Sequence, residues 1–146
     1  MVCKVLLVGN GAREHSIAKK IVDNNGILYS YMSKENPGIA RISKKFILGN
    51  LNNFDKLKKF KKVDYAIIGS ENPLANGIVN YLEDKLKIPV CGPRKEVAKI
   101  EASKIFTRLL LDTYDISGNV PYVIGKTTKD LETAVSEFGM DFVIKP

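Results

Sequence analysis

The stretch Val5-Leu6-Leu7-Val8-Gly9-Asn10-Gly11-Ala12-Arg13-Glu14-His15-Ser16-Ile17-Ala18 decides how this chain folds. An apolar, branched run stops at a glycine pair, and polar residues then open an apolar pattern at helical spacing. That is a strand, a tight turn and a helix, the opening of a nucleotide-type α/β unit. Gly9 and Gly11 let the backbone turn sharply and approach a ligand. The first N–H groups of the helix, at its positive dipole end, favour an anion such as phosphate. A dinucleotide fingerprint, G-x-G-x-x-G, would place its third glycine at position 14, where this chain carries Glu14. That carboxylate would repel a pyrophosphate. Nor does the second apolar run end in a lone acidic residue for an adenosine ribose, because Ser33-Lys34-Glu35 stands there. The turn reads as a ligand-binding one that is not built for a dinucleotide; the alternative is a tight turn with a solvated helix start.

Working outward, residues 2–8 form a buried strand, and Ile17, Ala18, Ile21 and Val22 mark a helix over about 13–24, ended by Asn24-Asn25-Gly26. Residues 27–32 (ILYSYM) form a second strand, followed by a polar loop from Ser33 to Gly38. A short third strand covers 45–48, a lysine-rich helix 53–62, and a fourth strand 63–69, closed by Gly69 and the loop Ser70-Glu71-Asn72-Pro73. A helix over 74–86 and a strand over 88–91 follow, closed by Gly92-Pro93. This alternation predicts an α/β fold: an open parallel sheet with helices on both faces. Ligands of such sheets bind at the carboxyl ends of the strands, where strand order reverses. The loops 9–14, 33–38 and 69–74 are therefore expected to converge. Beyond Pro93 a long amphipathic helix is expected over 95–112, then a strand near 121–124, a helix near 128–138 and a strand over 141–145. The chain stops at Val143-Ile144-Lys145-Pro146, which reads as a truncation.

Composition narrows the function classes. Apolar residues make up 45% and charged residues 27% of the 146 residues, a globular balance rather than a disordered one. No apolar run approaches the roughly 18 residues that cross a bilayer, and the start lacks a signal-peptide layout, so the expected location is the cytoplasm. Cys3 and Cys91 sit in strand-like runs and read as buried small side chains; with a single histidine and no C-x-x-C spacing, a zinc site is not expected. Residues 1–91 hold 15 Lys/Arg against 8 Asp/Glu, and residues 92–146 hold 8 of each, so the whole net charge of +7 lies in the first part. Its densest patch, Lys56 to Lys62, alternates lysines with Phe54, Leu57 and Phe60, as a solvated amphipathic helix does. With 19 Lys and only 4 Arg, nucleic acid is not the expected partner.

Outside the first turn, three residues stand out. Glu71, just past the fourth strand, is placed to accept hydrogen bonds from two sugar hydroxyls or, equally, to act as a helix N-terminal charge. Lys104 lies on the long helix, where most lysines are simply solvated. Lys145 ends an apolar strand-like run, an uncommon place for a lysine and one that often meets a phosphate or carboxylate.

Taken together these residues resemble the phosphoribosylamine–glycine ligase (glycinamide ribonucleotide synthetase) family of purine biosynthesis. The resemblance rests on V-G-N-G-A-R-E-H at 8–15, Asn36-Pro37-Gly38, Gly69-Ser70-Glu71-Asn72-Pro73-Leu74, Cys91-Gly92-Pro93, Ile100 to Thr107 and Val143-Ile144-Lys145. It covers the whole chain in register. It implies a Rossmann-like pre-ATP-grasp domain over 1–91, a linker helix region over 92–116 and the beginning of an ATP-grasp module over 117–146. Members of the family activate glycine with ATP to glycyl phosphate, and the amine of 5-phosphoribosylamine displaces phosphate to give glycinamide ribonucleotide. By resemblance, Gly9, Asn10, Gly11, Arg13, Glu14, His15, Asn36, Gly38, Glu71, Pro73 and Leu74 line the phosphoribosylamine site, and Lys104 and Lys145 face the ATP phosphates. Mg²⁺ or Mn²⁺ and the catalytic residues fall to sequence beyond residue 146, so no metal site is expected in this chain, which alone is expected to be inactive and monomeric. Ala12 departs mildly from the glycine of many members, and Pro37 and Asn72 also vary. The alternatives are another purine-pathway ATP-grasp ligase, carboxylating or formylating a ribonucleotide, and a non-enzymatic nucleotide-binding α/β module.

Overall fold

The short branched runs form a sheet because each is too brief for a helix and is ended by glycine or a polar turn. In the computed structural model, which describes residues 2–145, five parallel strands take the order β3-β2-β1-β4-β5. They are β1 (Lys4–Val8), β2 (Ile27–Met32), β3 (Lys45–Leu48), β4 (Tyr65–Ile68) and β5 (Val90–Cys91). Strand β1 lies in the middle, with Val8 opposite Tyr31 on one side and Ile68 on the other. The chain winds outward through β2 and β3, then returns to the far side of β1 through β4 and β5. The order thus reverses at β1/β4, which is where this class of sheet opens a crevice for ligands.

Successive strand residues face opposite sides, so each strand feeds two cores. Leu6, Val8, Tyr31, Ala66 and Ile68 pack with Leu57, Phe60, Leu74, Ile78, Val79 and Leu82. Leu7, Leu28 and Met32 pack on the other face with Ala18 and Ile39. The second face is covered by α1 (Ala12–Asp23) and α2 (Pro37–Ile42). The first is covered by a 3-10 helix (Asp55–Phe60), by α3 (Glu71–Ala75) and by α4 (Ile78–Leu86). Helices on both faces of an open parallel sheet are what the alternation predicts. Burying a leucine such as Leu6 or Leu82 contributes about 1.5–3 kcal/mol.

The described residues fall into two units, one through Ala98 and one from Lys99 onward. The division lies within α5 (Lys95–Ala102). In the second unit, Ser103 takes an extended conformation and its hydroxyl caps α6 (Lys104–Thr113) by accepting from the Phe106 N–H. The helix expected over 95–112 is thereby broken in two. Helix α7 (Thr128–Phe138) falls where expected, started by a capping box between Thr127 and Asp130. The expected strands at 121–124 and 141–145 are not paired into any sheet among the described residues. Elsewhere the polar loop 33–38 yields to α2 from Pro37, because the Asn36 side chain caps that helix. The expected helix 74–86 begins earlier, at Glu71, and is interrupted at Gly77, which has φ +88°.

Candidate functional site

The ends of β1, β2 and β4 are tied together by backbone. Gly9 donates its N–H to the Tyr31 carbonyl and Gly69 donates to that of Val8, both at 3.0 Å. Gly9 has φ +126°, a conformation that L side chains rarely adopt. The three loops predicted to converge do so here.

Helix α1 then starts in a way that the glycine pattern alone does not announce. Glu14, three residues past the N-cap Gly11, folds back, and its Oε2 accepts the Gly11 N–H at 2.5 Å. The side chain lies between the β1 and β4 loops and is only 4% exposed. A Cβ on Gly9 would fall 2.7 Å from Glu14 Cγ, one on Gly11 would fall 2.7 Å from Oε2, and one on Gly69 would overlap the carboxyl group itself. The glycines make room for the chain's own carboxylate. The expectation of a helix start open to phosphate therefore changes, since the N-cap amide is already engaged.

Around this buried group the remaining residues form a half-buried to exposed rim. The Arg13 guanidinium lies 3.7 Å from Glu14 Oε1 through Nε and 2.8 Å from Glu71 Oε1 through Nη2, joining the β1 and β4 loops. Asn10 joins the first loop to the second: its Oδ1 accepts from the Ser33 hydroxyl at 2.7 Å and from the Ser33 N–H at 3.2 Å. Its carbonyl accepts from Asn36 Nδ2 at 3.0 Å. The Asn36 Oδ1 accepts from the N–H groups of Gly38 and Ile39, fixing the start of α2. Gly38 lies against the exposed His15 ring so closely that a Cβ there would meet it.

Of the positions expected on this site, Gly9, Asn10, Gly11, Arg13, Glu14, His15, Asn36, Gly38 and Glu71 are brought to the same end of the sheet. Pro73 and Leu74 are buried, Leu74 in the larger core, so backbone is what they can present. Lys104 opens α6 with its Nζ 3.5 Å from the Glu101 carbonyl, and Lys145 is exposed in a stretch that is neither helix nor paired strand. Both belong to the second unit. Among the described residues, no group of three His, Cys, Asp or Glu side chains is placed to hold a metal ion. No helix among them is long and apolar enough to cross a membrane.

Two further contributors escaped the sequence reading. Ser33 anchors Asn10. Tyr31, whose hydroxyl burial pushes above the usual tyrosine range, donates to the carbonyls of Asn50 and Asn53 at 2.8 and 3.1 Å and thereby holds the loop after β3. An aromatic residue at the end of a buried strand gives no hint of that role.

Such a rim, with a carboxylate, amides and a guanidinium over a buried carboxylate, suits a polyhydroxylated ligand better than an apolar one. The family model described as "Phosphoribosylglycinamide synthetase, N domain" matches residues 3–101. The chain belongs to this family. Phosphoribosylamine–glycine ligases from Methanosphaera stadtmanae and Methanobrevibacter smithii are each 43% identical over 98% of this chain, and that of Pyrococcus furiosus is 39% identical over the same share. The chain spans about a third of the length of these curated relatives, 33% in each case. Among solved structures, the N5-carboxyaminoimidazole synthetase from Staphylococcus aureus, complexed with ADP, superposes with a TM-score of 0.74 at 16% identity, over 94% of this chain and 36% of that one. The phosphoribosylglycinamide synthetase from Anaerococcus prevotii superposes with 0.64 at 14% identity, over 96% and 36%. At those identities the likeness is one of fold. Within the N-domain family, the glycine pair and Glu14 of this chain form one structural unit.

Proposed function

We propose that this chain is the 5-phosphoribosylamine-binding part of an ATP-dependent ligase that joins glycine to that amine, giving glycinamide ribonucleotide, ADP and phosphate. The observation that carries the reading is the convergence of the β1, β2 and β4 loops at the strand reversal, with Arg13 and Glu71 joined across it, in a chain of this family. Residues 1–91 supply this site, 92–116 a linker helix region, and 117–146 the start of the ATP-grasp module.

The chemistry assigns simple tasks to these residues. A glycine carboxylate oxygen attacks the γ-phosphorus of ATP, and ADP leaves. The phosphoribosylamine nitrogen then attacks the acyl carbon of glycyl phosphate, phosphate departs and the nitrogen loses a proton. For the second step the amine must be held at one angle, which a fixed ribose achieves by turning a bimolecular encounter into an oriented one. Glu71 accepts hydrogen bonds from two ribose hydroxyls, and Asn10, Asn36, Gly38 and His15 border the sugar. Lys104 and Lys145, two exposed ammonium groups, are suited to ATP phosphates, where a cation offsets charge that builds in phosphoryl transfer. Mg²⁺ or Mn²⁺ needs clustered carboxylates, and among the described residues no such group is placed to hold a metal ion, so its ligands are assigned to the remainder of the longer enzyme.

Glu71→Gln in the full-length protein tests the reading. The KM for phosphoribosylamine should rise about tenfold or more, as loss of a charge-assisted hydrogen bond costs about 1.5–3 kcal/mol. The KM for ATP should stay put. An unchanged KM for the amine would leave Glu71 a helix N-terminal charge and no more.

A further inference from the structure

We infer that Glu14 is the built-in anion of the β1–α1 turn, and that through Arg13 it positions the Glu71 carboxylate, making Glu14–Arg13–Glu71 a specificity device that presents a neutral, hydroxyl-bearing ligand edge to this turn rather than a phosphate. The inference rests on the ribosyl ligand proposed above and deepens it by assigning which end of that ligand meets which loop.

Three independent features carry it. The carboxylate is buried, and the amide it engages is that of the helix N-cap, where related folds seat a ligand phosphate. The glycines at 9, 11 and 69 leave no room for a Cβ because Glu14 fills that space. A carboxyl group for which three backbone positions are kept bare is held in one place. Beyond it the order runs outward, from Glu14 to Arg13 Nε at 3.7 Å and from Arg13 Nη2 to Glu71 Oε1 at 2.8 Å. The guanidinium donates through Nη2 to Glu71 and lies at ion-pair distance from Glu14 through Nε, so one planar, delocalised cation ties the outer carboxylate to the buried one.

The consequence for the ligand is electrostatic. A phosphate brought to the α1 N-terminus would meet the buried Glu14 carboxylate already there, and like charges repel. A diol edge donates hydrogen bonds to Glu71 without that repulsion. The ligand phosphate therefore lies away from this turn. Arg13 is a positioning residue, and its contribution depends on Glu71.

The 146-residue chain tests this by two routes. With four arginines in the chain, the Arg13 Nε–H is resolvable by ¹⁵N NMR. In the wild type it should lie apart from the position of a freely rotating arginine, and Glu14→Gln should return it there. An Arg13 signal that ignores Glu14→Gln overturns the device. The second route avoids any change to the buried residue. Arg13→Gln should weaken ribose 5-phosphate binding about tenfold in the wild type yet change little in a Glu71→Gln background, since it acts through that residue. Arg13→Lys should recover only part of the loss. Losses from Arg13→Gln and Glu71→Gln that simply add would overturn the inference and make Arg13 a direct ligand contact. If the wild-type chain takes no ribose 5-phosphate, it is the proposed function that fails, and the Arg13 signal alone then decides the fate of the device.

Discussion

Replacing Gly69 by alanine should destabilise the first unit, and removing Glu14 should abolish or reverse that effect. Gly69 does not have a positive φ, so alanine is compatible with its backbone. The cost is steric, because the new Cβ would fall on the Glu14 carboxyl group, whose own position is fixed by Gly9 and by the Gly11 N–H. Inserting a methyl into such a packed place costs about 1–3 kcal/mol. Expelling Glu14 instead forfeits its bond to the N-cap amide, about 1–3 kcal/mol again. Either way a loss near 2 kcal/mol is expected, which lowers Tm by about 4–8 °C per kcal/mol for a unit of this size. In a Glu14→Ala background the obstacle is gone. There Gly69→Ala should be neutral or should stabilise by about 0.4–1 kcal/mol through the unfolded chain. Urea unfolding followed by circular dichroism on the four proteins gives the cycle. Equal losses in both backgrounds would refute the reasoning, because Glu14 would then not be what Gly69 accommodates.

Asn36→Ala removes the α2 cap and the tie to Asn10, and should lower stability by about 1–2 kcal/mol in the same unfolding assay. Gly38→Ala displaces only the exposed His15 ring, so stability should hold while the His15 imidazole resonances move in a ¹H–¹⁵N spectrum. Asp130 is held below the usual aspartate range by the backbone N–H of Lys126 and by the hydroxyl and N–H of Thr127. Its folded pKa is depressed, so its contribution to α7 is complete above the unfolded aspartate value and is lost as pH falls through the lower, folded one. Amide exchange of α7 should quicken on acidification in that window, and Asp130→Asn should remove the dependence. The 146-residue chain should form no glycinamide ribonucleotide from ATP, glycine and phosphoribosylamine in a radiolabelled-glycine assay.

What the sequence makes legible is the periodic part. Strands β1, β2 and β3 and helix α7 lie where apolar spacing and caps put them, since each ends at a residue whose chemistry forces an end. The convergence of three loops follows from the alternation of elements together with the reversal of strand order. Less legible are places where one side chain overrides a local pattern. Asn36 turns a Pro-Gly stretch that reads as a loop into the start of α2. Ser103 breaks a continuous apolar periodicity by capping α6 from an extended backbone, and Gly77 does the same to the α3–α4 segment through its left-handed conformation. The stretches 121–124 and 141–145 have strand-like composition, but a strand is a pairing, and composition does not supply the partner. The inward turn of Glu14 was hidden for a related reason. A glutamate at the third position of a helix reads as a solvated dipole charge, and only the space left by Gly9, Gly11 and Gly69 shows which way it folds.

The central claim is that a turn resembling a dinucleotide site takes a ribosyl ligand instead. Calorimetric titration of the 146-residue chain with glycinamide ribonucleotide and, separately, with NAD tests it most directly. Saturable binding of glycinamide ribonucleotide with no measurable heat from NAD is the predicted result, and tighter binding of NAD than of glycinamide ribonucleotide would contradict it.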